Sequence, residues 1–258
     1  MHCIAVANHK GGVGKTAITQ NVGALLAEGG GRVLLIDIDP QASLSNAFGI
    51  EDTERNLTCV LGGAEEGYLD MDAIIRPVAE RLDLAPGDIS LAAAELGMIG
   101  RVGRENVLKR VLTPLRGRYD VALIDCPPSL AILTINALNA SAGVLIPTQP
   151  QAADLRGLKL FLQTLEQLRR GLDRDDLATV GIVPTFYDNR LIHHRDAIEA
   201  MKLGRLNVLT PIGRTVKFAE AVAAGLPLHQ YEPGNVQVAA LRKLTGQVES
   251  WLKSQGRA

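Results

Sequence analysis

The sequence has few cysteines, few aromatic residues and no long apolar run. Its three cysteines, an odd number without a C-x-x-C pair, exclude a disulfide framework and a cysteine-ligated zinc or iron–sulfur site. Because aromatic residues make up only 3% of the chain, a core built from its 47% hydrophobic residues must be mostly aliphatic. No apolar stretch reaches the roughly 18 residues of a membrane span, and Met1 leads directly into a predicted strand, which leaves no room for a signal peptide. We therefore expect a cytoplasmic protein that does not bind membrane.

The chain also lacks an overall excess of basic residues, since its net charge is −1. The charges are nevertheless uneven: residues 1–100 carry six Lys/Arg against fourteen Asp/Glu, whereas residues 190–258 carry ten against five. A basic C-terminal third can form a local patch for phosphate backbones. Ordinary solvated helix faces give the same counts, and the counts alone favour that interpretation.

A glycine-rich loop near the start of the chain is the most informative stretch. Residues 8–16 read N-H-K-G-G-V-G-K-T, between an apolar run at residues 3–7 and a segment at 17–27 with helical apolar spacing. Strand, loop, Lys-Thr and helix in this order are typical of a phosphate-binding loop. Its glycines let backbone N–H groups point at a phosphate, and the helix N-terminus adds a positive dipole end. We expect Lys15 to reach the β- and γ-phosphates and the Thr16 hydroxyl to hold Mg²⁺.

The loop departs from the usual pattern G-x-x-x-x-G-K-[ST], because His9 stands where the first glycine is expected. A second lysine, Lys10, opens the loop instead. In this respect the segment resembles the deviant Walker A motif of the ParA/MinD family of ATPases. The resemblance implies that Lys10 reaches across a dimer interface to the nucleotide of the other subunit. It also implies nucleotide contacts from the whole loop: Lys10, Gly11, Gly12, Val13, Gly14, Lys15, Thr16 and Ala17.

Two later apolar runs end in aspartates, as is common where an α/β sheet meets its ligand. The first ends in D-I-D-P-Q at residues 37–41 and the second in D-C-P-P at residues 125–128. They resemble the D-x-D-P-Q and Walker B motifs of the same family. The resemblance implies that Asp39 orients the attacking water and that Asp37 lies near the Mg²⁺ shell. It implies that Asp125 holds Mg²⁺ through the water shell of the ion, which dehydrates reluctantly.

The last third of the chain carries two weaker matches to the family. The turn Y-D-N-R at residues 187–190 is similar to one in which the arginine lies near the DNA-binding face. Residues 214–221 resemble a segment of the family that lies beside the adenine pocket. Gly213 and Thr215 stand where the family has a proline and an asparagine that line this pocket. By position, the resemblance implies base contacts from Gly213 and Thr215. The candidate DNA-facing residues are Arg190, Arg214 and Lys217, and surface charges beside a nucleotide pocket would give the same pattern.

Apolar runs alternate with amphipathic segments along the whole chain. The alternation predicts an α/β fold, a doubly wound, mostly parallel sheet flanked by helices in one domain, residues 1–258; by resemblance it is a P-loop NTPase of the deviant Walker A type. Strands are predicted at residues 3–7, 32–37, 82–86 (at the sheet edge), 119–125, 143–147, 179–185 and 207–212. Helices are predicted at residues 17–27, 43–48, 106–115, 152–170 and 236–252, and a surface loop at 62–67. The last helix is predicted to pack on the sheet through Val236, Ala239, Ala240, Leu244, Val248 and Leu252.

The resemblance extends over nearly the whole chain and is closest to the short, Soj-like branch of ParA, the DNA-partitioning ATPases. It implies ATP and Mg²⁺ as cofactors and a homodimer in the ATP state that binds double-stranded DNA without sequence preference. It further implies slow hydrolysis that a ParB-type partner stimulates. Ala17 replaces a threonine common in the family, which predicts weaker nucleotide binding. Because no N-terminal extension could hold a helix-turn-helix, operator binding is not expected.

Two alternatives of other classes remain open. The first is a MinD-like or flagellar-number-type positioning ATPase, which cycles on a membrane. The C-terminal residues 253–258 lack the basic amphipathic face of such proteins, which disfavours this alternative. The second is a metabolic P-loop enzyme such as a relative of dethiobiotin synthetase, whose ATP turnover would depend on a small substrate.

Overall fold

The computed structural model describes residues 1–50, 54–62 and 67–256. Within these ranges one sheet has the strand order β3-β4-β2-β5-β1-β6-β7. The strands are β1 (His2–Val6), β2 (Val33–Asp37), β3 (Arg76–Ala79), β4 (Leu82–Ala85), β5 (Val121–Asp125), β6 (Gly143–Thr148) and β7 (Ala178–Pro184). Every neighbouring pair is parallel except β3 with β4. The predicted doubly wound, mostly parallel sheet is confirmed.

Helices cover both faces of the sheet. They are α1 (Lys15–Glu28), α2 (Ser43–Asn46), α3 (Leu57–Leu61), α4 (Ser90–Met98), α5 (Val107–Leu112), α6 (Ile132–Ala140), α7 (Ala152–Gly171), α8 (Ile192–Leu203), α9 (Lys217–Ala223), α10 (Leu228–Tyr231) and α11 (Val236–Gln255). Of the loop predicted at 62–67, residues 63–66 lie outside the described residues, as do residues 257 and 258 of the C-terminal tail. No helix in the described ranges is long and apolar enough to cross a membrane.

Two aliphatic layers form the core, one on each face of the sheet. Strand alternation separates them: Ile4 and Val6 belong to the layer under α1 and α11, whereas Cys3 and Ala5 belong to the layer under α5, α6 and α7. All five residues of β2 are buried, as expected for a parallel strand covered on both faces. This packing brings the carboxyl ends of β1, β2 and β5 together at one edge of the sheet.

The strand predicted at residues 82–86 is present at Leu82–Ala85, but its predicted place at the sheet edge is wrong. It is β4, which lies between β2 and the antiparallel strand β3. The edge strand β3 contains Pro77, whose missing N–H is tolerated there because no further strand needs a donor. An antiparallel partner of four residues joined by a tight turn was not visible in the sequence pattern.

The prediction of a regular strand at residues 207–212 is also wrong. Only Val208 and Gly213 form isolated parallel bridges, with Ile182 and Tyr187 respectively. The ladder is interrupted because Pro211 has no N–H to donate. The segment therefore runs beside β7 without becoming an eighth strand.

Two predicted helices differ from the observed ones in detail. The helix predicted at 106–115 shortens to α5, and the following residues form a 3₁₀ turn that contains Pro114. In α11 the predicted apolar stripe is partly wrong, because Val236 and Ala239 are exposed. Its buried residues are Val238, Leu241, Leu244, Thr245 and Val248.

Candidate nucleotide-binding site

The loop after β1 has the backbone conformation of an anion-binding loop. Gly12 and Gly14 have φ values of 68° and 86°, in the left-handed region that glycine adopts without strain. Asn8 anchors the loop, since its Nδ2 donates to the Pro147 carbonyl at 2.7 Å and its Oδ1 accepts from the Lys10 N–H at 3.0 Å. Within the described chain, the backbone N–H groups of residues 11–16 donate to no protein acceptor. They and the N-terminus of α1 are therefore available to a phosphate.

Lys15, the first residue of α1, folds back over this loop. Its side chain is buried, and its ammonium group donates to the Lys10 carbonyl at 3.1 Å. Burial lowers the pKa of Lys15, and the nearby Asp125 and Asp39 carboxylates oppose that effect. A phosphate in the loop would replace the carbonyl with a stronger, charged partner.

Two buried aspartates face each other across neighbouring strands. Asp37 and Asp125 are register partners at the ends of β2 and β5. The Thr16 hydroxyl donates to Asp125 Oδ2 at 2.7 Å, and the Thr19 hydroxyl lies 3.2 Å from Asp125 Oδ1. Burial, with the charge of Asp37 as a further cause, raises the pKa of Asp125. The pair therefore holds more negative charge than the protein alone compensates.

Asp37 organises the short segment that carries Asp39. Its Oδ2 accepts from both the backbone N–H and the hydroxyl of Ser45, at 2.8 and 2.7 Å, and its Oδ1 accepts from the Asp39 N–H at 3.3 Å. Asp39 is buried, and its Oδ1 accepts from the Gln41 N–H at 2.9 Å. Asp37 thus fixes α2 and Asp39 relative to β2, while Asp39 keeps one carboxylate oxygen without a recorded hydrogen bond in the described chain.

These oxygen ligands fit a magnesium ion bound together with a phosphate. The Thr16 hydroxyl and Asp125 carboxylate are adjacent hard ligands, and the uncompensated charge of Asp37 and Asp125 favours a cation there. No group of three or more His, Cys, Asp or Glu residues in the described part of the chain is arranged as a complete metal cage. Mg²⁺, which keeps several waters and shares phosphate oxygens, needs no such cage.

Lys10 and His9 connect the loop to α7. The Lys10 ammonium group forms an ion pair with Asp154 in the first turn of α7, and the Asp154 side chain is only 3% exposed. The His9 ring lies 6.2 Å from the Phe161 ring in a stacked arrangement. Gly157 makes room for it, because a Cβ there would come within 3.0 Å of the His9 ring. His9, which stands where the usual loop has a glycine, therefore packs the loop against α7.

A second wall of the site lies on the β7 side of the loop. The Thr185 hydroxyl donates to the Val13 carbonyl at 2.8 Å. Two residues later, Tyr187 bridges to Gly213, whose N–H donates to the Gln237 side chain. This continuous set of contacts joins the phosphate loop to the segment predicted to lie near the base. Thr215 belongs to the same segment, where its hydroxyl accepts from the Lys217 N–H at 3.3 Å.

The three predicted DNA-facing residues lie near this wall but in different surroundings. Arg190 and Arg214 line one cavity of about 430 Å³. Arg190 is paired with Asp188 at 2.7 Å, and Lys217 with Glu220 at 2.8 Å. Arg214 is exposed and forms no ion pair with any described residue. The sequence had not indicated a fourth cation, Arg195, which donates to the Asn189 carbonyl at 2.6 Å and so lies beside Arg190.

Comparison with known proteins decides the family. A family model described as an AAA domain matches residues 1–178. The sporulation initiation inhibitor protein Soj of Bacillus subtilis (strain 168) is 41% identical over 234 residues, which cover 89% of this chain and 91% of that protein. The chain belongs to the ParA/Soj family of ATPases. The chromosome partitioning protein ParA of Caulobacter vibrioides is 35% identical over 257 residues, covering 97% of this chain and 94% of that protein.

The ParA/Soj fold is shared with solved structures that contain nucleotide. The structure of cobyrinic acid a,c-diamide synthase from Mycobacterium smegmatis with bound ATP analog and magnesium superposes with a TM-score of 0.84. It is 35% identical, and the match covers 99% of this chain and 97% of that chain. The predicted resemblance to the ParA/Soj family is confirmed.

The sequence analysis did not identify the residues that hold the side chains and backbone of this ParA/Soj site in place. Asp154, Gln237 and Ser45 are ordinary polar residues in their local sequence, and no motif marks them. Only Asp154 had a usable signal, because it is an acidic residue placed on the buried face of an amphipathic helix. A cavity of about 920 Å³ between α7 and α8 had no sequence signal and lies apart from the loop.

Proposed function

We propose that this chain is a nucleotide-driven switch that partitions DNA. Residues 1–258 act as one ATPase domain, which binds ATP and Mg²⁺, dimerises in the ATP state and then binds double-stranded DNA without sequence preference. The observation that carries the proposal is the phosphate loop, in which Lys15 lies near the buried Asp39 and Asp125 and a second lysine, Lys10, stands at the start of the loop. Membership of the ParA/Soj family supports it.

Each residue of the site has a role set by its position. Lys15 and the backbone N–H groups of residues 11–16 neutralise the phosphates, and Ala17 contributes a backbone N–H. Thr16 and Asp125 hold Mg²⁺, and Asp37 lies next to the ligands of the ion without binding it directly. Bound Mg²⁺ would neutralise charge at the β- and γ-phosphates. Asp39, held by the Gln41 N–H, orients the attacking water. Catalysis then rests on positioning and charge, not on a covalent intermediate.

Lys10 is the residue that links nucleotide binding to dimerisation. Its side chain remains 42% exposed although it pairs with Asp154, so it can leave that partner without unfolding the loop. In the dimer, Lys10 of each subunit contacts the phosphates of the other. ATP shifts the population only because it binds the dimer more tightly than the monomer.

DNA binding is assigned to the surface of Arg190, Arg214 and Lys217. The ion pairs of Arg190 and Lys217 are local and largely exposed, so they contribute little stability. A DNA phosphate can therefore replace Asp188 or Glu220 at small cost. Two copies of the surface in a dimer double the number of phosphate contacts, which makes binding depend on the ATP state and on salt. In the ATP state the protein then associates with the nucleoid.

A ParB-type protein completes the cycle by stimulating hydrolysis, which returns the switch to the DNA-free monomer. Slow basal hydrolysis is expected because the position of the water depends on Asp39 and on α2, a segment of only four residues. A partner that positions the attacking water against the Asp39 carboxylate would raise the rate of hydrolysis.

The decisive experiment measures binding of Asp39→Ala to random-sequence duplex DNA, with ATP and with ADP, over a salt series. The variant should bind ATP, remain dimeric and bind DNA tightly only with ATP, with an affinity that falls steeply with salt. Lys15→Ala, which should not bind nucleotide, is the matched negative control. Equal DNA binding in both nucleotide states, or none in either, would refute the proposal.

A second candidate function is favoured by the name of one neighbour. The M. smegmatis protein, at 35% identity, is called a cobyrinic acid a,c-diamide synthase, an enzyme that forms amide bonds. If this chain were such an enzyme, its ATP turnover would require a small carboxylate substrate and an amino donor. Measuring ATP turnover with cobyrinic acid and an amino donor such as ammonium, against DNA and a ParB-type protein, separates the two functions.

A further inference from the structure

Two glutamines of α11 hold the irregular segment that follows α8. The Oε1 atom of Gln247 accepts from the Thr210 N–H at 2.9 Å, and the Oε1 atom of Gln237 accepts from the Gly213 N–H at 2.6 Å. Both bonds satisfy backbone donors beside Pro211, where the strand ladder is interrupted. The position of residues 210–213 is therefore set by α11 as well as by β7.

Gly213 and Gln237 fit each other closely. A Cβ atom at position 213 would lie 2.6 Å from Gln237 Nε2 and 3.1 Å from Gln237 Oε1. Since real Cβ atoms do not approach so near, a side chain at 213 would require the Gln237 amide to move. A proline there would remove the donor altogether.

The matched pair lies where the nucleoside of a bound nucleotide must extend. Asp37 and Asp125, the carboxylates that face the triphosphate, are the last residues of β2 and β5. These two strands lie on one side of β1 in the sheet, and β6 and β7 lie on the other side. A triphosphate directed toward Asp37 and Asp125 therefore leaves its nucleoside toward β7. There Thr185 contacts the phosphate loop, and Tyr187 bridges to Gly213.

The same helix also fixes the phosphate end of the site. α11 packs against α1, and Arg242 of α11 pairs with Glu28 at the end of α1 at 2.9 Å. One rigid element thus sets the spacing between the helix that begins at the phosphates and the segment at the nucleoside end.

We propose that Gln237 is a positioning residue for the base of ATP. By holding the Gly213 N–H, it places residues 211–215 against the nucleoside, so that a loop with glycine and not proline at position 213 is ordered before the ligand arrives. The inference rests on the ATP binding of the proposed function, and it is independent of DNA binding and dimerisation.

The test compares the affinities of purified protein for Mg-ATP and for magnesium tripolyphosphate, which lacks the nucleoside, by calorimetry. Gln237→Leu removes the acceptor at nearly constant volume and should weaken ATP binding about threefold to tenfold, as expected for one hydrogen bond. Tripolyphosphate binding should change less than twofold. Gln237→Glu, which keeps an acceptor, should restore most of the ATP affinity.

Two further variants make the test specific. Gly213→Ala displaces the same amide from the other side, so the double variant with Gln237→Leu should bind ATP no more weakly than either single variant. Gln247→Leu is the control on the same helix: it removes the acceptor for the N–H and the hydroxyl of Thr210, which lies outside residues 211–215, and should change ATP affinity less than twofold. Equal loss of ATP and tripolyphosphate binding, additive losses, or no loss in Gln237→Leu would overturn the inference. A wild-type chain that bound neither ligand would instead refute the proposed function.

Discussion

The ammonium group of Lys10 is paired with the Asp154 carboxylate, a side chain buried in the first turn of α7. The other carboxylate oxygen of Asp154 is buried and has no hydrogen-bond partner in the described chain. Lys10 is thus held within its own subunit by an acid that pairs with no second cation among the described residues. The proposed reach of Lys10 to a partner subunit must compete with this contact.

Asp154→Asn should therefore increase dimerisation. The amide keeps the shape of the side chain but removes the charge that holds Lys10, so the ATP-bound dimer should form at a lower protein concentration. Sedimentation velocity with Mg-ATP, in the Asp39→Ala background to prevent hydrolysis, measures the change. The ATP affinity of the monomer is the control and should stay the same. A dimer that formed no more readily than without the substitution would show that the pair does not oppose dimerisation.

Lys10→Ala should lower the free energy of unfolding as well as block dimerisation. Removing the lysine leaves a buried carboxylate unpaired, which costs about 1–2 kcal/mol once the partial exposure of Lys10 is considered. Urea unfolding without nucleotide measures this cost. The double variant with Asp154→Asn should recover most of the stability, because no buried charge remains. If both variants were equally unstable, the loss would come from loop packing instead.

Stability without nucleotide should fall as pH rises because of Asp37. Burial raises its pKa to about 6, above the value of about 3.9 in unfolded chains. The protonated form is favoured in the folded state, so the contribution of Asp37 is fully present below about pH 4 and lost as pH rises through about 6.

Asp37→Asn isolates this effect, since asparagine does not titrate. The free energy of unfolding of the wild type relative to the variant should decrease between pH 4 and 7, and Mg-ATP should reverse the decrease by stabilising the charged form. Urea unfolding at a series of pH values checks both statements. A difference that stayed constant with pH would mean that Asp37 is ionised in the folded protein at all of them.

Ala17→Thr should tighten ATP binding about threefold to tenfold by adding one hydroxyl donor near the α-phosphate. Ala17→Val is the control, because it adds the same branched shape without the hydroxyl. Calorimetric titration with Mg-ATP separates the two. Weaker or equal binding by the threonine variant would show that the alanine is no deficiency in this loop.

The parts of the molecule whose position sequence predicted correctly are those that directly follow or end a predicted strand. Residues 8–16 follow β1, and Asp37 and Asp125 end buried apolar strands. Parallel strands bring such positions to one edge whatever the rest of the chain does. The central strands were equally predictable, because strands covered on both faces are continuously apolar.

The elements that sequence placed wrongly depend on partners elsewhere in the chain. Residues 82–85 gave no sign that β3 would cover their edge, and residues 207–212 have strand-like composition although Pro211 interrupts the ladder. The register of α11 followed its cap, since the Asn235 side chain accepts from the Gln237 N–H at 3.0 Å. Periodicity alone could not give the rotation of that helix.

The sequence by itself determined the fold class, through the alternation of apolar and amphipathic segments along the chain. It also determined where the glycine-rich loop and the acidic residues lie, because each belongs to a short run of residues beside a strand. Only the tertiary structure decided which partners these residues have. Lys10 meets Asp154 from 144 positions away, and Gly213 meets Gln237 on a different element. Such contacts arise when packed helices bring distant side chains within hydrogen-bond reach, and no local pattern of residues records that geometry.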